Sequence, residues 1–363
     1  MSSTWGKNIK ISIFGESHGT SIGVVVDGLP SGLKLDEDEL LAFMSRRVPG
    51  KASFSTPRKE KDLPKIQSGL FNGCTTGTPL CAIIENTNTQ SKDYAGISGL
   101  ARPSHADYTG FMRYNGYNDQ RGSGHFSGRL TAPLVFAGGI AKQILAKHDI
   151  FVGGHIASIK NISDNYPDSL SLTADMLKAV AAKPFPVFDD AKGTEMIAEI
   201  EKARLDSDSI GGIMACYALG VPVGIGSPMF GGVENVIASL LFGVPAVKGV
   251  EFGAGFASTK LTGSENNDAM RSENGKIFTL TNNHGGIIGG ISSGMPIVVR
   301  AAVKPTPSIS KVQQSIDYLS RENTDISTKG RHDPCILPRA VPCAEACVAL
   351  AVLDLMLEKP NSL

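Results

Sequence analysis

Apolar positions along the chain fall into short, β-branched runs, with stretches of helical periodicity between them. The runs predict strands, and they lie at residues 9–14, 22–27, 80–85, 151–159, 212–218, 247–252 and 295–303. The periodic stretches predict helices, and they lie at residues 36–44, 134–147, 194–205, 233–242, 309–319 and 343–357. Strands mostly come in pairs before a helix instead of alternating with helices one by one. This order favours an α+β fold over a doubly wound parallel sheet.

Chain length and an internal echo bear on the domain organisation. With 363 residues, the chain can form one large domain or two ordinary ones. Residues 21–32 and residues 209–224 share the order of Ser-Ile-Gly, a strand and a Gly-x-Pro turn. A duplicated unit and two independent hairpins both explain this echo. The polar segment 161–192 predicts an insertion or a mobile surface element.

Composition excludes several classes of protein. Apolar residues make up 41% of the chain and charged residues 19%, as in soluble globular proteins, and no apolar run approaches the ~20 residues that span a bilayer. Lysine plus arginine and aspartate plus glutamate are equal at 35 each, so no overall field would attract nucleic acid. The six cysteines form no Cys-x-x-Cys pair and no cluster has metal-ligand spacing, so we expect neither disulfides nor a metal. The first seven residues do not resemble a signal peptide, and we expect a cytoplasmic protein.

Positive charge is concentrated in one segment, residues 46–65. This segment holds seven lysines and arginines against two acidic residues, which leaves a local excess of five positive charges. Its glycine, serine and proline residues are typical of a loop. On charge alone, a solvated surface loop and a loop that covers a polyanionic ligand are both open.

One pentapeptide, Gly15-Glu16-Ser17-His18-Gly19, places a hydroxyl beside an imidazole in a glycine-flanked turn. It matches the Gly-x-Ser-x-Gly pattern of serine hydrolases, which requires a strand, a strained turn and then a helix. The residues that follow are β-branched and predict a second strand, so the hydrolase interpretation lacks its structural context. The turn presents Ser17 and His18 together to another partner.

Three further segments place arginine or histidine beside glycine or proline. A glycine-rich stretch before Arg129 leads into a predicted helix, and a helix N-terminus with an adjacent arginine is suited to an anion. Histidine in such a setting can exchange protons near neutral pH. The three segments are residues 102–107, 121–129 and 329–334.

Together, these segments resemble the chorismate synthase family, and the resemblance covers nearly the whole chain in the family's order. The three signatures are Gly15-Glu16-Ser17-His18-Gly19 through residues 28–32, Ser127-Gly128-Arg129, and Arg331-His332-Asp333-Pro334-Cys335 through Glu345. The segments similar to the family's flavin-binding segments are Asn283-His284-Gly285-Gly286, residues 289–294 and Lys304-Pro305-Thr306-Pro307-Ser308. The resemblance implies a single domain over residues 1–363, a layered sandwich with helices packed between two antiparallel sheets, and a homotetramer.

The resemblance also implies an enzyme, a carbon–oxygen lyase acting on phosphates in the shikimate pathway of aromatic amino acid biosynthesis. Members of the family convert 5-enolpyruvylshikimate 3-phosphate to chorismate and phosphate by an anti-1,4-elimination. They use reduced FMN without net redox change, and some reduce their own flavin with NADPH. Whether this chain does so stays open.

Catalytic roles follow from the resemblance. His18 is expected to serve the departing phosphate as an acid, and His105 to protonate anionic reduced flavin. Neighbouring anions are expected to favour the charged form of both rings. Asp333 is expected to assist proton movement at the flavin, with Ser17 and Ser127 in the relay.

Binding roles follow in the same way, because arginine's planar fork matches phosphates and carboxylates. The residues expected to bind substrate are Arg47, Arg102, Arg129 and Arg331. The residues expected to contact flavin are His125, Phe126, Ser127, Ala246, Gly289, Lys304, Thr306, Ser308 and Arg331. Arg47 is also expected to contact NADP, and the loop 46–65 becomes a substrate lid.

Ser53 departs from the family pattern, because it stands where a second arginine usually follows the arginine pair. Two other functions remain open beside the lyase. A flavin-dependent oxidoreductase acting on a phosphorylated cyclic acid would use the same binding site. A sensor of a phosphorylated ligand would use the same arginines without needing two histidines.

Overall fold

The computed structural model describes residues 3–48, 61–87, 99–328 and 333–358. The strands within these residues are β1 (Thr4–Trp5), β2 (Lys10–Gly15), β3 (Ser21–Asp27), β4 (Pro64–Ser68), β5 (Leu70–Phe71), β6 (Cys74–Thr75), β7 (Leu80–Glu85), β8 (Phe151–Ile159), β9 (Ile162–Ser163), β10 (Gly212–Leu219), β11 (Val247–Phe252), β12 (Met270–Glu273), β13 (Lys276–Thr279), β14 (Ile287–Ile288), β15 (Ile291–Ser292), β16 (Ile297–Val303), β17 (Gln313–Asp317) and β18 (Glu322–Ile326). The α-helices are α1 (Glu37–Ser45), α2 (Asp107–Arg113), α3 (Thr131–Ala146), α4 (Ala174–Ala181), α5 (Asp190–Leu205), α6 (Val233–Gly243), α7 (Gly263–Asn266) and α8 (Leu337–Met356).

Two five-stranded antiparallel sheets form the framework. The first has the strand order β1-β2-β3-β7-β4, and the second has the order β11-β16-β10-β8-β9. Along β3, Ile22, Val24 and Val26 are fully buried, which is the period-two face of a strand that packs on a core. The expected α+β class with antiparallel sheets is confirmed.

Helices α3 and α8 connect the two sheets. Helix α3 packs against β2, β3 and β7 of the first sheet, α8 packs against β8 and β10 of the second, and the two helices pack together. A Cβ at Gly138 of α3 would lie 2.2 Å from the Cβ of Ala346 on α8, so only glycine permits this close approach. One cluster of buried apolar residues includes members from both sheets and both helices. No helix in the described ranges is long and apolar enough to cross a membrane.

The segment 161–192, expected to be an insertion or a mobile surface element, contains the packed helix α4. Leu177 and Val180 of α4 are buried, and the helix packs against β8 of the second sheet. Leu172 and Leu177 join Tyr217 in a small second core. The spacing of Leu177 and Val180 by three residues is enough for an apolar face on a helix of two turns.

The prediction of a helix at residues 309–319 is wrong, because strands β17 and β18 form a hairpin there. Val312 and Leu319 would have supplied its apolar face, and they are 70% and 61% exposed. The Ser315 hydroxyl donates a hydrogen bond to the Ala101 carbonyl. Asp317, at the end of β17, pairs with Leu100 in an antiparallel β-bridge. Pairing with this distant segment outweighs the local periodicity.

Candidate active site

Segments far apart in sequence meet around a cavity of about 560 Å³. Its wall consists of the end of α1, the loop before α2, the turn before α3, the residues after α6, the loop after β16 and the first turn of α8. The predicted site residues that line it are Arg47, Arg102, His105, His125, Phe126, Ser127, Arg129, Ala246, Lys304, Thr306, Ser308 and Asp333. Arg331 and Ser53 lie outside the described residues.

A buried carboxylate, Asp62, joins two of the predicted arginines. Arg47 donates to Asp62 Oδ2 over 2.5 Å, and Arg129 donates to Oδ1. All three residues are at most 4% exposed. Burial acts to raise the pKa of Asp62, but the two arginines outweigh it and hold the pKa below its ordinary value. Two cations on one carboxylate leave an excess positive charge at this wall.

Further hydrogen bonds orient the two guanidinium groups. Arg47 Nε donates to the Thr131 hydroxyl at the start of α3 over 2.9 Å, and its Nη2 donates to the Gly128 carbonyl over 2.9 Å. Arg129 Nε donates to Asn86 Oδ1 over 3.0 Å. The arginines are therefore held in place by the turn before α3 and by the end of β7.

The loop before α2 builds a second charged group from Arg102, His105 and Asp107. Asp107 accepts from Arg102 Nη2 at 2.6 Å and pairs with His105 Nδ1 at 2.9 Å. Burial acts to raise the pKa of Asp107, yet its hydrogen bonds with Arg102 and His105 hold the pKa well below its ordinary range. Because Asp107 occupies Nδ1, Nε2 is the ring nitrogen that can exchange a proton with a ligand.

The pKa of His105 is lowered within the protein, which corrects the expectation that neighbouring anions favour its charged form. Burial lowers the pKa most, and the positive charges of Arg102 and Lys304 lower it further. The hydrogen bond with Asp107 acts to raise it but does not prevail. The described groups of the protein thus favour a neutral ring, and an anionic ligand would shift the balance toward the charged form.

The turn over residues 121–126 brings His18 and Ser17 near the cavity. Gly122 and Ser123 have positive φ of 59° and 73°, and a Cβ at Gly122 would lie 2.3 Å from the His18 ring. Ser17 N donates to the Gly124 carbonyl over 3.1 Å. Within the described part of the chain, the buried Ser17 hydroxyl has no hydrogen-bond partner. Neither Ser17 nor His18 is among the residues that line the cavity.

The first turn of α8 supplies Arg339, which links the C-terminal segment to Arg47. Arg339 donates to Asp333 through Nη1 and, over 2.9 Å, to the Arg47 carbonyl through Nε. Asp333 is 8% exposed. An arginine on a helix start thus holds the predicted proton-transfer residue against the predicted substrate arginine.

The flavin-like segments divide between two places. Lys304 N donates to the carbonyl of Ala246, whose φ is 75°, and burial lowers the pKa of Lys304 with help from Lys248. Ser308 accepts from Arg102 over 3.1 Å. Gly289 instead lies on an exposed turn between β14 and β15, outside the cavity wall.

The charges around the cavity are unbalanced. Among the residues that the structure describes, the cationic side chains on its wall are those of Arg47, Arg102, Arg129, Lys304 and Arg339. The carboxylates paired with them are those of Asp62, Asp107 and Asp333. Five cations against three carboxylates leave an excess of two positive charges, which suits a polyanion. No group of three or more metal-ligating side chains that could hold a metal occurs in the described ranges.

A family model described as chorismate synthase matches residues 9–357. The chain belongs to the chorismate synthase family. Chorismate synthase of Dehalococcoides mccartyi is 44% identical over 98% of this chain and 97% of that protein. The chorismate synthases of Thermococcus kodakarensis and Methanocella arvoryzae are 44% and 45% identical over 98% of this chain, and 97% and 94% of those proteins are covered.

A solved structure described as the crystal structure of chorismate synthase has a TM-score of 0.77 and 26% identity to this chain. The match covers 98% of this chain and 94% of that one. The family resemblance inferred from the sequence is confirmed, and with it the class of enzyme, a lyase of aromatic amino acid biosynthesis.

Sequence reasoning did not identify three residues that organise the cavity. In the sequence, Asp62 stands out only as a negative charge in the loop 46–65, and Asp107 only as the last residue of the segment 102–107. Arg339 belongs to no motif. The spacing of Asp107 two residues after His105 is a signal that could have identified this carboxylate as the orienting partner of the ring.

Proposed function

We propose that this chain converts 5-enolpyruvylshikimate 3-phosphate to chorismate and phosphate by an anti-1,4-elimination, with reduced FMN. The observation that carries the proposal is the meeting of Arg47, Arg102 and Arg129 around one cavity with His105. These residues come from three separate segments. Hydrogen bonds to Asp62 or Asp107 hold each of them in place. The cavity's excess positive charge matches a substrate with a phosphate and two carboxylates.

The cavity fits a flavin. Val244, Pro245, Ile336 and Ala340 give its wall an apolar part for a ring system. The Thr306 hydroxyl is buried without a hydrogen-bond partner in the described part of the chain, and a flavin would supply one. We assign flavin contacts to the cavity-lining residues His125, Phe126, Ser127, Ala246, Lys304, Thr306 and Ser308. When bound, reduced FMN supplies electron density as the phosphate leaves and recovers it without net oxidation.

The arginines bind and orient the substrate. Charge-assisted hydrogen bonds of this kind contribute roughly 1.5–3 kcal/mol each. Arg47 and Arg129 already share Asp62, so an arriving anion neutralises the excess charge of an arranged pair. This preorganisation limits the entropy that the protein loses on binding.

The remaining residues hold and move protons. His105 presents Nε2 to the ligand, and an anionic ligand raises its pKa toward the protonated form. His18 does not line the cavity but lies against its wall residue Gly122, so it serves the leaving phosphate where the phosphate reaches this turn. Asp333, held by Arg339, assists proton movement, and Ser17 and Ser127 act as relays. A positioned acid of this kind contributes roughly 10²- to 10⁴-fold to the rate.

We further propose the finer architecture. The sheets and helices form one domain, a layered sandwich with α3 and α8 between the sheets, and β3 and β10 descend from a duplicated unit. Val223, Met229, Phe230 and Ile288 are exposed on two segments that the bridge between Gly226 and Ile291 joins, and this apolar surface supports a homotetramer. Gly289 adjoins Ile288 there, so its flavin contact would be made to a neighbouring subunit. The six free cysteines agree with a cytoplasmic location.

Anaerobic assays test the proposed function. The full chain with the enolpyruvyl substrate and chemically reduced FMN is expected to release chorismate and phosphate in equal amounts. A folded sample that binds flavin and substrate yet forms no product would contradict the proposal and favour a sensor. A parallel reaction with oxidised FMN and NADPH decides whether the chain reduces its own flavin.

A further inference from the structure

A second cavity, of about 800 Å³, lies between α1, α3, α4, β8 and the start of α8. Arg339 is the one residue that it shares with the candidate active site among the described residues. Apart from Arg339, the proposed function uses none of the residues on its wall. Its volume lies within the roughly 300–1,000 Å³ of small-molecule sites.

A buried carboxylate with two cationic partners forms one wall of this cavity. Glu345 of α8 is fully buried, and it accepts from Arg46 at 2.6 and 2.9 Å and from Lys142 at 2.5 Å. Burial acts to raise the pKa of Glu345, but Arg46 and Lys142 outweigh it and lower the pKa. The group therefore carries one net positive charge. The Arg46 and Lys142 side chains are only 19% and 18% exposed, so water screens that charge poorly.

The rest of the wall is largely apolar by area and holds two aromatic rings. Its other charged side chains, among the residues described, are Lys178, Lys183 and Arg339, each paired with a carboxylate, and the exposed Glu39. Lys142 Nζ lies 4.4 Å from the centre of the Phe43 ring and 5.8 Å from the centre of the Phe151 ring. Pro184 and Pro186 complete the wall beside them. An ammonium has three donors, and within the described ranges Lys142 donates one hydrogen bond, to Glu345. Because Glu345 is shared with Arg46, a second acceptor for the spare donors of Lys142 would be favourable in these surroundings.

We propose that this cavity binds a small organic monocarboxylate that carries a ring. The carboxylate neutralises the excess charge of the group formed by Glu345, Arg46 and Lys142 by accepting from Lys142, and the ring packs on Phe43 and Phe151. A bare inorganic anion would neutralise the charge but leave the apolar part of the wall exposed to water. An uncharged ring would fill the space but leave the charge unpaired. The inference stands independently of the function proposed for the first cavity.

Fluorine NMR of 4-fluorobenzoate with the full chain tests the proposal. The Lys142→Met variant removes the excess charge and keeps Glu345 paired with Arg46, so we expect at least a tenfold loss of affinity. Lys147→Met removes a charge from an exposed position at the end of the same helix and should bind as the unmodified chain does. Excess inorganic phosphate and 4-fluorobenzyl alcohol should compete weakly or not at all.

A cavity-filling variant provides an independent measurement if Lys142→Met alters folding. Ala42 lines the cavity from an exposed position on α1, so Ala42→Trp should block binding while leaving every charge in place. Asp38→Trp, exposed on the same helix but outside the cavity wall, should bind normally. Unchanged affinity in both Lys142→Met and Ala42→Trp would overturn the proposal, as would phosphate binding as tightly as the ring carboxylate.

Discussion

At the scale of single residues, carboxylates orient the cationic side chains of the first cavity. Asp62 joins Arg47 to Arg129, and Asp107 joins Arg102 to His105. Each pairing is buried or nearly so, and buried charges are tolerated only when they are paired. The arginines are therefore oriented before any ligand arrives.

Replacing Asp62 by Asn is expected to lower the free energy of unfolding by about 3–5 kcal/mol, because two buried arginines lose their counter-charge. Inorganic phosphate should then raise the Tm of the variant more than that of the unmodified chain, since it binds the vacated arginines in the folded state. Thermal unfolding with and without phosphate measures both effects. The exposed Asp325→Asn is the control, and equal phosphate shifts in all three proteins would contradict the assignment.

Loss of the His105 ring is expected to slow anaerobic turnover by roughly 10²- to 10⁴-fold, with flavin affinity largely kept. The reason is that Nε2 can exchange a proton while the arginines and the apolar wall bind the ligand. His105→Ala and His18→Ala should both show the loss, and the exposed His148→Ala should not. Near-native rates in both active-site variants would refute the proton-transfer roles.

The predicted residues that line the cavity carry chemistry in recognisable motifs, whereas their partners do not. Asp62 and Arg339 act through contacts with residues distant in sequence, so no local spacing reveals them. Arg46 and Arg47 also show that sequence position alone does not tell which cavity a side chain faces. They are adjacent in sequence, but neighbouring residues near a helix end project in different directions. Arg46 faces the second cavity and Arg47 the first.

At the scale of elements, the predicted strands were found because β-branched runs buried in a sheet leave a clear pattern. All seven predicted runs contain a strand in the structure. Elements that depend on contacts with distant residues are not predicted from the local pattern. The hairpin of β17 and β18, for example, depends on pairing with residues 100 and 101. Helix α3 begins at Thr131, three residues before the predicted start, because the turn that holds Arg129 runs directly into it.

Glu345 ties together α8, α3 and the end of α1, and its removal should destabilise their packing. Glu345→Ala is expected to cost about 3–5 kcal/mol of unfolding free energy, since Arg46 and Lys142 lose their partner. Glu201→Ala, which breaks an exposed pair within α5, should cost less than about 1 kcal/mol. Denaturant unfolding measures both, and equal losses would contradict the argument.

The same residue predicts a pH dependence. The folded-state pKa of Glu345 lies below its ordinary value of 4.5, so its stabilisation is fully present above that value and is lost as the pH falls through the folded pKa. The unmodified chain should therefore lose more stability on acidification in this range than Glu345→Ala does. Parallel pH profiles in the two proteins would count against a paired, ionised Glu345.

At the scale of the whole molecule, the two sheets have the same number of strands and both pack on one core. Strands β3 and β10 each occupy the middle of a five-stranded antiparallel sheet, and each belongs to one copy of the sequence echo. The first cavity draws its wall from α1, α3 and α8 and from loops between them. None of the four residues of the apolar surface around Phe230 lines this cavity.

This surface should hold subunits together. Phe230 is 86% exposed, and Phe230→Asp is expected to reduce the molar mass in sedimentation experiments by placing a charge in a buried interface. Phe71→Asp, which changes a 70% exposed ring beside the first sheet, is the matched control. Dissociation by the control alone would place the interface elsewhere.

The most direct test of the central claim is the ratio of product to flavin. In an anaerobic reaction with substrate in large excess over reduced FMN, we predict many molecules of chorismate per flavin, with the flavin absorbance still that of the reduced form at the end. Oxidation of one flavin for each product would contradict the account and identify an oxidoreductase instead.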